Sequence, residues 1–228
     1  MGPSLLFLDI ETAPNLQMVQ YMPPAHIATA DDAPRNYKKP DTIAAWVVDE
    51  NIRRAREYEN HIARMALDID YAQITALSWA EDANPIQVRV CDSEEDEYYM
   101  LLMFWEIVRY WKTRLVGYNI KGFDLPILLR RSLALCVEPS RTLSLQRYST
   151  DVVIDLMELL YHGGYAPGVK FRGLKAVSAM YLNSVSDIAQ LKGSDAPDMA
   201  LTTRIGYCAH DVWLTRKLAY KTMGFYWS

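Results

Sequence analysis

The order of strand-like and helix-like segments constrains the fold of this chain more than any other feature. A compact apolar run, residues 4–10, is typical of a buried strand. Two more strand-like segments follow, and later short strands alternate with helices. The predicted strands are residues 4–10, 72–79, 86–91, 115–119 and 152–154, and the predicted helices after the second strand are 93–112, 123–136, 173–181 and 198–220. This order predicts an α/β fold with a mixed five-stranded sheet flanked by helices.

Residues 14–70 separate the first two predicted strands and are too many for a hairpin loop. Their first part, residues 14–37, lacks a clean period and is predicted to be loop. Asp41 is a candidate cap for a helix that runs to residue 67. We therefore expect one domain, residues 1–228, with a helical insertion after the first strand.

The bulk composition fits a globular protein, with 228 residues of which 50% are hydrophobic and 23% charged. No apolar stretch is long enough to span a membrane, and the N-terminal segment has no basic leader. Three widely spaced cysteines form neither a metal-ligand pattern nor a disulfide framework. Together these features predict a cytoplasmic protein without a membrane partner.

The net charge of −4 conceals an uneven distribution. From Lys112 to Lys192 there are 11 Lys and Arg against 6 Asp and Glu, so this stretch carries +5 and the remainder −9. A local basic surface can bind phosphates on an acidic protein. The alternative is an ordinary solvated surface, which the charges alone favour.

Two carboxylates, Asp9 and Glu11, lie at the end of the first predicted strand. Residues i and i+2 of a strand point to the same face. Carboxylates that face one another repel, and a divalent cation removes that repulsion. The alternative is a strand end that simply meets solvent.

Two further segments place polar groups near helix termini or on helix faces. In residues 117–126 a strand ends in a glycine-containing loop, with Asp124 at or near the start of the next helix. The same loop offers Asn119 for hydrogen bonding and Phe123 for stacking on an unpaired base. Tyr207 and Asp211 are spaced i and i+4 on a predicted helix, which suits either a packing pair or a phenol beside a metal site.

Taken in order, the segments FLDIET, NIKGFDLP and YCAHD resemble the three motifs of the DEDD (DnaQ-like) superfamily of 3′–5′ exonucleases, which have a ribonuclease-H-like fold. The third motif has the tyrosine form, because Gly206 stands where the histidine form needs its histidine. The chain is most similar to the exonuclease domain of family B DNA polymerases and to related stand-alone exonucleases.

The resemblance implies hydrolysis of phosphodiester bonds at the 3′ end of single-stranded nucleic acid, with DNA favoured over RNA, by two Mg²⁺ or Mn²⁺ ions per active site. One ion is then bound by Asp9, Glu11 and Asp211, and the second by Asp9 and Asp124, with Tyr207 orienting the attacking water. The expected substrate contacts are Thr12, Asn119, Phe123, Lys170 and Arg172.

Two alternatives stay open at this point, a 3′–5′ exoribonuclease and a non-catalytic nucleic-acid-binding module of the same fold. The motifs do not report on the 2′-hydroxyl that distinguishes RNA. A module that had lost its chemistry is expected to have lost one or more of the acids, whereas all four are present. A DNA polymerase or another DNA-processing protein is a further expected partner.

Overall fold

The computed structural model describes residues 4–109, 112–161, 170–182 and 201–226. Parts of two predicted helices, residues 110–111 and 198–200, lie outside these ranges. Within them the strands are β1 Leu5–Pro14, β2 Ala72–Glu81, β3 Gln87–Val90, β4 Arg114–Gly117 and β5 Val153–Asp155. The α-helices are α1 Pro40–Arg64, α2 Glu94–Ile107, α3 Asp124–Ala134, α4 Leu156–Leu160, α5 Leu174–Leu182 and α6 Leu201–Tyr226. Each predicted strand is present, and the short helix α4 is the one α-helix among the described residues that the sequence pattern did not indicate.

The strands form one sheet in the order β3-β2-β1-β4-β5. β1 pairs with β4, and β4 with β5, in parallel, whereas β2 and β3 are antiparallel. β1 and β2 also run antiparallel, since the N–H of Asp82 donates to the carbonyl of Leu5 while Ser78 contacts the carbonyl of Asp9. The sheet is therefore mixed, as predicted, and the C-terminal ends of β1, β4 and β5 lie at the same edge.

Each face of the sheet is covered by its own layer of helices. Phe7 of β1 meets Tyr220 of α6 edge-to-face, with ring centroids 5.5 Å apart. The core on this side also contains Val116, Ile154 and Val212, all fully buried. Alternation along β1 turns Asp9 and Glu11 to the same side as Phe7. The strand thus carries its carboxylates toward α6.

Residues Pro14–Ala72 form a compact unit distinct from the rest of the chain. It contains α1, two 3₁₀-helices before α1, Leu16–Tyr21 and Ala30–Asp32, where loop was predicted, and a third after it, Met65–Leu67. The prediction that Asp41 caps α1 is wrong, because Lys39 is the cap and Pro40 opens the helix. Proline is favoured there since its missing N–H has no partner in a first turn. That all 228 residues act as one domain stays a prediction.

No helix among the described residues is both long enough and apolar enough to cross a membrane.

The helix layer opposite α6 contains a buried ion pair. Arg131 of α3 donates from Nε and Nη2 to the Glu97 carboxylate of α2, at 2.8 and 2.7 Å. Glu97 also accepts the backbone N–H of Ile74 in β2 at 2.9 Å. The pair therefore links two helices to the sheet, and removal of one partner leaves the other charge buried.

We predict that Glu97→Gln lowers the free energy of unfolding by about 3 kcal/mol, the lower end of the range for a broken buried pair. Glu94→Gln is the matched control, because Glu94 lies 3.8 Å from the same guanidinium but its side chain is 51% exposed. The control should cost about 0–1 kcal/mol. Equal losses in urea unfolding for the two variants would contradict a special role for the buried pair.

Candidate metal and nucleic-acid site

Three carboxylates converge where β1 meets α6. One oxygen from each of Asp9, Glu11 and Asp211 lies within 4.8 Å of the other two. The hydroxyl of Ser78 in β2, itself fully buried, lies 3.3 Å from the carbonyl of Asp9 and 3.0 Å from that of Cys208. Ser78 thereby holds the strand and the helix together beside the cluster.

Asp124 approaches the cluster from α3. It is the first residue of that helix, after the cap residue Phe123, and is 5% exposed. Its carboxylate accepts the backbone N–H of Ile10, at 3.1 Å, between the two acids of β1. The expected position at the helix start is confirmed, but the side chain is directed to β1 instead of capping its own helix.

Burial is the main cause of the raised pKa values of the four acids in this site. It raises the pKa of Glu11 to about 8, of Asp124 to about 7 and of Asp211 to about 6. Burial, with repulsion from Asp124, Asp211 and Glu11, also raises the pKa of Asp9 well above its usual range. Without a counter-charge, the cluster therefore tends to hold protons at neutral pH.

A divalent cation fits this donor set. The Oδ1 atom of Asp211 is buried without a hydrogen-bond partner among the described residues. Carboxylate oxygens are the ligands that Mg²⁺ and Mn²⁺ prefer. A cation would satisfy the unpartnered oxygen and remove the repulsion between the acids.

A lysine that sequence reasoning did not assign to catalysis lies within this site. The Nζ of Lys175, near the start of α5, donates to the hydroxyl of Tyr207 at 2.8 Å and lies 4.0 Å from the ring centroid. Its charge lowers the pKa of Asp9, Glu11 and Asp211. A hydrogen bond from Tyr207 also lowers the pKa of Asp211. From the sequence, Lys175 is one of several basic residues that could line a path for the strand or carry a solvated charge, and no local pattern indicates its contact with Tyr207.

Burial and the neighbouring acids raise the pKa of Tyr207 above its usual value. The phenol therefore stays protonated at neutral pH. A protonated phenol can orient a water molecule by hydrogen bonding but is a poor base.

Asp155, at the end of β5, shapes the loop that leads to Asp124. Its carboxylate accepts the backbone N–H groups of Asn119 and Lys121, both at 3.0 Å, and of Met157 at 3.0 Å. Asn119 has a φ of 61°, and a Cβ on Gly122 would lie 2.5 Å from the Asn119 Oδ1. The loop therefore depends on both residues. Sequence reasoning missed Asp155. Its position directly after the predicted strand 152–154 is the signal that could have identified it.

The remaining predicted substrate contacts differ in exposure. Asn119 and Phe123 are half-buried, and Thr12 is buried. Lys170 and Arg172 are exposed. The Tyr118 hydroxyl donates to the carbonyl of Arg172 at 2.5 Å, which ties this basic segment to the strand that precedes the Asn119 loop.

Residues 64–181 match a protein family described as "Predicted 3'-5' exonuclease related to the exonuclease domain of PolB". The match covers just over half of the chain and includes Asp124, whereas Asp9, Glu11, Tyr207 and Asp211 lie outside it. No curated protein matches the sequence.

Among solved structures, the family B DNA polymerase from the hyperthermophilic archaeon Pyrobaculum calidifontis matches with a TM-score of 0.59 and 19% sequence identity. The match covers 99% of this chain and 25% of the polymerase chain, so this chain spans about a quarter of the polymerase. At this identity the likeness shows the fold alone, which is ribonuclease-H-like.

We predict that the stability of the metal-free protein falls as pH rises from about 5 to 8. A raised pKa means that the folded state keeps protons that the unfolded chain releases, between 4.5 and about 8 for Glu11, so deprotonation favours unfolding. Because a cation competes with those protons, Mn²⁺ should raise the melting temperature more at pH 8 than at pH 5.5.

Differential scanning calorimetry in EDTA and in Mn²⁺ measures both effects. Glu11→Gln removes one titrating acid, so its metal-free stability should depend less on pH than that of the parent. A parent and variant with the same pH dependence would contradict the predicted protonation of Glu11.

Proposed function

This chain belongs to the family of predicted 3′–5′ exonucleases related to the exonuclease domain of PolB, and on that premise we propose that it hydrolyses phosphodiester bonds at the 3′ end of single-stranded nucleic acid, with DNA favoured over RNA. The observation that carries the proposal is the cluster of Asp9, Glu11 and Asp211 between β1 and α6, with Asp124 bonded between the first two acids. Three buried acids beside a half-buried one, Asp9, have no other evident purpose in this fold.

We propose that two Mg²⁺ or Mn²⁺ ions bind here. Asp9, Glu11 and Asp211 would hold one, and Asp9 and Asp124 the other. When bound, such cations supply Lewis-acid stabilisation of the charge that develops on the phosphate and the leaving oxygen.

The other residues of the site position the reactants. Tyr207 orients the attacking water through its protonated hydroxyl, and Lys175 holds that hydroxyl in place. Asn119, Phe123 and Thr12 contact the terminal nucleotide. Lys170 and Arg172 bind phosphates of the strand, consistent with their exposure.

Two parts of the proposal concern the cellular setting. The chain has free thiols at all three cysteines, which supports a reducing, cytoplasmic location. A polymerase or another DNA-processing protein is the proposed protein partner, by analogy with the family B DNA polymerase that shares the fold.

We predict that 5′-labelled single-stranded DNA is shortened one nucleotide at a time in Mg²⁺ or Mn²⁺ and stays intact in EDTA. Asp9→Asn should abolish hydrolysis while folding is kept, because the substitution removes a metal ligand. Asp151→Asn, at an exposed acid before β5, is the matched control and should keep the parent rate.

The same digestion on RNA of the same sequence decides between the two sugar types. Cleavage of a circular strand, or resistance of every linear strand in both metals, would contradict the exonuclease proposal.

We predict that Tyr207→Phe lowers the single-turnover rate by about tenfold to a thousandfold, the scale of lost positioning effects, while strand affinity is kept. Lys175→Met should lower the rate by about tenfold, and little further in the Tyr207→Phe background, because both residues act through one hydrogen bond. Losses that multiply in the double variant would separate the two roles.

A further inference from the structure

A cavity of about 250 Å³ lies beside the loop that leads to Asp124. Its lining includes Asn119, Gly122, Leu145, Arg147, Met157 and Phe171. Two segments that lead to site residues line this cavity. Asn119 and Gly122 precede Asp124, and Phe171 precedes Lys175. Its volume is below the roughly 300–1,000 Å³ of pockets for drug-sized ligands, which favours a compact group such as a single base.

Phe171, the aromatic residue of the cavity wall, is packed on one side and exposed to solvent on the other. Phe171 meets Tyr161 edge-to-face, with centroids 5.4 Å apart and planes at 71°. Yet Phe171 is 49% exposed. The half-buried side chains of Leu145 and Met157 add apolar surface. A flat apolar group can therefore pack against the ring.

The charges around the cavity favour a phosphate near that flat group. The two acids of its wall are already engaged, because Asp155 accepts backbone N–H groups and Glu158 pairs with Lys121 at 2.7 Å. Arg147 is exposed at the cavity. Lys170 and Arg172 flank Phe171 in the chain and are also exposed. An aromatic surface beside cationic groups is how proteins bind unpaired nucleotides.

We propose that this cavity binds one unpaired base of the substrate strand, on the 5′ side of the terminal nucleotide, with the base against Phe171 and its phosphate near Arg147. The inference rests on the proposed function, because it deepens the choice of a single strand as substrate. In a duplex the base is paired and stacked and does not reach the ring.

The test is a map of strand affinity against the position of one abasic nucleotide. A short fluorescein-labelled single strand carries the abasic unit at successive positions from the 3′ end, and anisotropy is measured at pH 6 in EDTA, so that hydrolysis is not needed. For the parent, the abasic unit should weaken binding at a single position on the 5′ side of the terminal nucleotide. The expected loss there is about five- to 150-fold, the range for one stacked base.

Phe171→Ala should bind the intact strand as weakly as the parent binds that abasic strand. An abasic unit at the same position should not weaken the binding of Phe171→Ala any further. Phe171→Leu, which keeps apolar packing against Tyr161, should show the same loss of position dependence and guards against misfolding. Tyr99→Ala, at an aromatic that is 55% exposed on α2, is the control and should follow the parent. A Phe171→Leu profile identical to that of the parent would overturn the proposal.

The proposed function fails separately. Hydrolysis of a dinucleotide by the parent in Mn²⁺ is the separate readout for the proposed function, because the affinity map is measured without hydrolysis. If the parent hydrolyses no strand and no dinucleotide, the exonuclease proposal is wrong, whatever the affinity map shows.

Discussion

The mutual repulsion of carboxylates in a poorly solvated site is the constraint on which the rest of this structure depends. Asp9, Glu11 and Asp211 share one small volume, and Asp124 is bonded to the strand between the first two. Burial raises the pKa of all four acids. A fold that brings such groups together loses stability unless protons or cations compensate, and the proposed metals provide that compensation.

The supporting contacts fix the acids from several directions. Ser78 joins β1 to α6, and Asp155 orders the loop that delivers Asp124. Among the described residues, Lys175 is the one cation in direct contact with Tyr207. These contacts come from different strands and helices, so the geometry of the site depends on the packing of the whole sheet. Positioning by rigid elements is what a two-metal reaction requires.

Much of this was predictable from the sequence, for identifiable reasons. The five strands were predicted in their observed order, although β1 continues to Pro14, beyond its predicted end at Ile10. The fold and the exonuclease family that the motifs indicated are confirmed. Ser93 caps α2 by accepting the N–H of Asp96, and the first turn of that helix is acidic. The roles of Asp9, Glu11, Asp124, Tyr207 and Asp211 stay predictions that the geometry supports.

Other features escaped because they depend on contacts between distant segments. Lys175 meets Tyr207 across 32 positions, and Phe171 becomes part of a cavity only through the fold. Asp41 failed as a cap because the helix begins at Pro40, two residues earlier than a helix capped by Asp41. Local patterns do not contain this information.

The central claim is that the acidic cluster binds the cations that drive hydrolysis. Its most direct test counts Mn²⁺ bound per chain by electron paramagnetic resonance while release of the 3′-terminal nucleotide is followed in the same sample. We predict two bound Mn²⁺ ions, hydrolysis that rises with their occupancy, and loss of both binding and hydrolysis in Asp9→Ala. Unchanged Mn²⁺ binding in Asp9→Ala, or full hydrolysis by the parent without bound metal, would contradict the claim.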